Sequence, residues 1–158
     1  MRTAPKLAIV GGVAVLVVAA PAVRAIRGQG AEQPVAYTDL TARLGPIPFP
    51  RPTGRVFVNR AALTDFVARE LPGAAPTVPT IDFSHRKAVL VALGPRSSSG
   101  YALRVVSVSA RSGHVRVVFR EQAPTLSTRV VPGLTYPYRL ITIPRLRGST
   151  IIHLEGQA

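Results

Sequence analysis

The apolar positions of this chain fall into three regimes. Leu7 to Val23 is an unbroken run of seventeen residues without a charged or strongly polar side chain, preceded by Arg2 and Lys6 and followed by Arg24 and Arg27. As a helix the run spans about 26 Å, close to the ~30 Å hydrocarbon core of a bilayer. Residues 1–27 are therefore expected to be a signal peptide or a membrane anchor, with residues 7–26 in the membrane. Ala20-Pro21-Ala22 and Val23-Arg24-Ala25 place small residues at the spacing a signal peptidase accepts, so both the anchored and the cleaved form stay open. Arg2 and Lys6 hold the N-terminus inside. The expected location is the cell membrane, single-pass with the domain outside, or the exterior if the segment is cleaved.

The second regime, residues 28–54, has no clear period and carries Pro34, Pro46, Pro48, Pro50 and Pro52. Gly45 to Pro52 favours extended polyproline geometry, and the stretch reads as a Pro-rich linker between membrane and domain. The third regime, residues 55–158, alternates. Arg55 to Val58 reads as a strand, and Asn59 caps a helix from Arg60 to Leu71 whose Leu63, Phe66, Val67 and Leu71 form one apolar stripe. Strands are then expected at Lys87–Leu93, Tyr101–Ser109, His114–Glu121, Tyr138–Ile143 and Ser149–Leu154. Val89 to Leu93 is apolar on both faces, as in a central strand. Arg111-Ser112-Gly113 reads as a tight hairpin turn. In His114 to Arg120 the residues Val115, Val117 and Phe119 share one face, while Arg116 and Arg120 share the other. The pattern predicts a mainly β (α+β) domain: a small antiparallel sandwich or open barrel with one packed N-terminal helix, preceded by a membrane-signal helix.

Composition narrows the chemistry. The 158 residues contain no Cys, which excludes disulfide frameworks, thiolate nucleophiles and Cys-based zinc sites. The net charge is +13, but the bases are scattered singly through the elements and no basic run exceeds two residues. That distribution, behind an export signal, argues against nucleic acid and leaves attraction to anionic lipid or acidic polymers. His85, His114 and His153 fall in three separate elements, so no metal is expected. No two acids lie within three positions of each other, and Ser97-Ser98-Ser99 lacks the Gly-x-Ser-x-Gly setting of a nucleophile elbow. The chain does not read as an enzyme, and no cofactor is expected.

One set of landmarks runs from Val56 to Leu154. Asp82-Phe83-Ser84 precedes the apolar strand Ala88–Leu93. Gly94-Pro95 then leads through a small-residue loop to Gly100-Tyr101, a strand pair follows, and after it comes Thr135-Tyr136-Pro137-Tyr138-Arg139-Leu140-Ile141-Thr142-Ile143-Pro144. In order and spacing these resemble the C-terminal domain of the protease complex subunit PrcB family. Ser98-Ser99-Gly100-Tyr101 stands where that family usually has a Thr-Gly-Gly-Tyr-like loop, and Tyr136-Pro137-Tyr138 where it has Ser-Pro-Tyr. The resemblance implies an exported, non-catalytic domain that binds or stabilises a partner protease. Ser98, Ser99, Gly100, Tyr101, Tyr136, Pro137 and Tyr138 are the candidate partner-binding residues. Each tyrosine has two readings: an amphipathic ring that anchors an interface, or a ring packed over the end of the strands. The alternative function is a structural envelope protein engaging anionic lipid or wall polymer through Arg-rich faces.

Overall fold

The computed structural model describes residues 30–73 and 77–156. The expected membrane segment lies outside them, and among the described residues no helix is long and apolar enough to cross a membrane. Chain order is β1 (Gln33–Pro34), β2 (Thr38–Asp39), α1 (Thr41–Leu44), β3 (Pro52–Phe57), α2 (Arg60–Glu70), β4 (Arg86–Leu93), β5 (Arg96–Ser98), β6 (Ala102–Arg111), β7 (His114–Gln122), β8 (Pro132–Thr135), β9 (Tyr138–Pro144) and β10 (Thr150–Glu155). The protein is mainly β, in open sheets of order β1-β6-β7-β10, β2-β9-β4-β3 and β5-β8.

Alternation along the strands builds two core layers. Val89, Val91 and Leu93 of β4 and Ile141 and Ile143 of β9 meet Leu103 and Val108 of β6 and Val115, Val117 and Phe119 of β7. The intervening residues of the second sheet, Ala88, Leu90, Ala92, Tyr138 and Leu140, face the other way onto Leu63, Phe66 and Val67 of α2. Strand β4 is thus buried on both faces, which is why Val89–Leu93 shows no alternation in sequence. Helix α2 starts as its sequence indicates, with the Asn59 side chain accepting from the Ala62 amide at 2.8 Å.

Two expectations are corrected. The stretch 28–54 is not a spacer from Gln33 onward. Strand β1 pairs with β6 and β2 with β9, while Leu40, Leu44, Ile47 and Phe49 enter the core beside α2. The prolines that suggested a stalk hold the backbone extended, so alternate side chains point alike. Pro46, Pro48 and Pro50 are exposed, and Ile47 and Phe49 are buried between them. The domain therefore begins some twenty residues before Arg55. The second correction concerns β10, which runs parallel to β7, with Thr150 opposite Val115 and Glu155 opposite Arg120. The connection 145–149 crosses from one sheet to the other at the end where β7 starts, so the strand that follows can only run alongside β7. There Gly148, at φ 95°, brings its backbone against Gly113, leaving no room for a Cβ.

Candidate functional site

At the opposite end, the chain leaving β4 and the chain leaving β7 fold onto each other. Strands β5 and β8 pair antiparallel, Arg96 opposite Thr135 and Ser98 opposite Pro132. The Ser99 amide donates to the Val131 carbonyl and the Val131 amide to Ser99 Oγ, both at 3.0 Å. Thr135 Oγ1 donates to the Ser98 carbonyl at 2.7 Å. The two segments singled out in the sequence, 98–101 and 136–138, thus flank one small two-stranded platform.

Their side chains divide by burial. Ser98 is buried, and Ser99 is spent holding β8. Gly100 packs so closely on Val130 and Pro124 that a Cβ would collide with both, which explains a glycine there. Tyr101 is half-buried just before β6. Tyr136 is half-buried and lines a small groove with Pro46, Ile47 and Pro48. The Pro137 carbonyl accepts from the Leu93 amide at 3.0 Å. Tyr138 takes the core reading. It is 9% exposed, its ring meets Phe49 edge-on at 5.1 Å, and its hydroxyl reaches the carbonyl oxygens of Thr41 and Gly45. Burial, reinforced by the charge of Asp39, pushes its phenol up to about 12.

The platform is pinned to β7 by Arg96. Its Nε and Nη2 donate to the two oxygens of Glu121 at 2.6 and 2.9 Å, and Nη1 donates to the Leu93 carbonyl at 2.8 Å. This pairing holds the Glu121 carboxyl below the usual carboxylate range and raises Arg96 further above its ordinary value. Beside it a groove of about 640 Å³ runs between Arg104, Val106, Arg120 and Pro124.

The pattern along the chain does not reveal the residues that the platform displays. Leu126 is fully exposed, Val131 is 68% exposed and Leu134 is 71% exposed. All three lie in the connection between β7 and β9, outside both core layers. The available signal is composition: Leu126, Val130, Val131 and Leu134 stand in a stretch, 124–135, otherwise made of Pro, Thr, Ser, Arg and Gly, and of these four Val130 is the one half-buried, against Gly100. Among the described residues no group of three potential metal ligands lies together. His85 bonds Asp82 at 2.7 Å on the surface, and His114 bonds Ser149 at 2.7 Å at the far turn.

Fold and platform together are those of a small mainly β domain that leaves Leu126, Val131 and Leu134 exposed in the connection carrying β8. Residues 87–144 match the family model described as PrcB C-terminal. The match runs from the second residue of β4 to the last of β9. It thus contains the whole platform and omits β1 to β3, both helices and β10. No curated protein and no solved structure matches the chain.

Proposed function

We propose that the chain is an exported or membrane-tethered, non-catalytic binding domain that contacts another exported protein, a protease by the sense of its family, through the β5·β8 platform. The observation that carries the reading is the exposure of Leu126, Val131 and Leu134 within the nine residues that lead into and form β8, whose ribbon is fitted around Gly100. Large apolar side chains held out of both cores on an ordered support gain free energy only when a partner covers them. The match of the segment that contains them to the PrcB C-terminal family model supports a protease-associated role.

Affinity capture of the tagged full chain from cross-linked membranes tests this. Leu126→Ser with Leu134→Ser should reduce recovery of an exported protease by roughly thirtyfold, about 2 kcal/mol. Because both positions are exposed, the melting free energy should change by less than about 0.5 kcal/mol. Recovery of the same proteins at the same level from both forms would sink the proposal. Export itself is checked by a reporter fused after Ala158, whose activity is expected outside the cytosol only.

A further inference from the structure

The end of the sheets opposite the platform is basic, and the path of the chain fixes which way it points. The β6–β7 turn carries Arg111, the β9–β10 connection carries Arg145 and Arg147, and Lys87 reaches across to the Gly148 carbonyl at 3.2 Å. The close approach of Gly113 and Gly148 joins these turns into one surface. Arg111, Arg145 and Arg147 are exposed, and none of the four bases forms an ion pair among the described residues. Two carboxylates lie at this end, Glu32, which accepts from Ser109 Oγ and lines a groove with Arg111, and Asp82, hydrogen-bonded to His85, so the four bases outnumber the acids there. Leu146, 40% exposed, projects between two of the arginines.

Strand β1 enters the fold at this same end, with Gln33 opposite Ala110, the residue before Arg111. Seven residue steps separate Ile26 from Gln33, a reach of at most about 25 Å. Strand β6, ten residues long, carries the platform about 33 Å further away. With the chain folded into the domain from Gln33 onward, an apolar segment held in a bilayer brings the basic turns to its surface and leaves the platform remote.

We propose that these turns are a docking surface for the anionic phospholipid headgroups of the membrane that holds the chain, so that the β5·β8 platform is presented away from it. The proposal rests on the reading of residues 7–26 as a membrane segment. Each base near a negatively charged surface strengthens contact about fivefold, an attraction that added salt removes.

The absence of cysteine allows single labels. Full-length chains carrying Ser112→Cys at the basic turn or Ser127→Cys on the platform are labelled with a fluorophore and reconstituted in vesicles of equimolar phosphatidylglycerol and phosphatidylcholine bearing a headgroup nitroxide. Quenching at 112 but not at 127 is expected. It should be lost in pure phosphatidylcholine, at high salt, and in Arg111→Ser with Arg147→Ser, and it should persist in Arg111→Lys with Arg147→Lys at an unchanged melting temperature. A chain that floats with the vesicles but shows no lipid-charge-dependent quenching at 112 overturns the docking surface while leaving the anchor intact. A chain that does not float with vesicles overturns the anchor and the docking surface together. Quenching that follows protein density rather than lipid charge identifies a second copy as the occupant and also overturns the proposal.

Discussion

Tyr138 shows how a residue flagged for recognition can serve the fold instead. Its neutral form is favoured in the folded state, because burial and Asp39 raise the phenol from near 10 to about 12. Its contribution to stability is therefore complete below about pH 10 and is lost as pH rises from there to about 12. Tyr138→Phe removes the donation to Thr41 and Gly45 and should cost about 1 kcal/mol near neutrality. In denaturant titrations above pH 10, however, the variant should lose less than the parent. Glu121 behaves with the opposite sign. Arg96 depresses its pKa, so the pair stabilises above the ordinary carboxylate value near 4.3, and the gain disappears as pH falls through the lowered value. Arg96→Met should destabilise by about 2 kcal/mol near neutrality. The gap to the parent should close in acid, as followed by melting at a series of pH values. Gly100, between Val130 and Pro124, admits no side chain without displacing the ribbon.

Among the elements, the segment from Gln33 to Phe49 decides where the domain begins. A chain starting at Arg55 loses β1, β2, α1 and the buried Leu40, Leu44, Ile47 and Phe49, so it should show no cooperative melt, whereas one starting at Gly30 should. Phe49→Ala in the full chain isolates the largest part of this effect. Its ring lies 5.1 Å from Tyr138 and 6.1 Å from Phe66, and its removal should cost about 3 to 5 kcal/mol in equilibrium unfolding. The longer elements were legible because their side chains repeat: α2 by its stripe, β7 by strict alternation, β4 by its continuous apolar run. Strands β1, β2, β5 and β8 are two to four residues long, too short for a period to register. The Pro-Ile-Pro-Phe-Pro stretch alternates as cleanly as a strand, but proline's spacer character masked it. Of the site, the sequence marked the two segments that flank the platform but not Leu126, Val131 and Leu134. Their exposure depends on where β5 and β8 meet, a long-range contact that leaves no local period.

The whole molecule has two unlike ends, one basic and joined to the N-terminal segment, the other apolar and within the family-matched region. The strap that links the first of these ends to the core has a mechanical consequence. Strands β1 and β2 hold only two residues each, at the edges of different sheets, whereas β6 and β7 are paired along nearly their full length. Tension drawn through the N-terminus would open the short pairs one after the other, like a zipper, before it loaded the long hairpin. A pull on the N-terminus against the rest of the domain would thus lengthen the molecule at β1 and β2 first, with the β5·β8 ribbon still assembled.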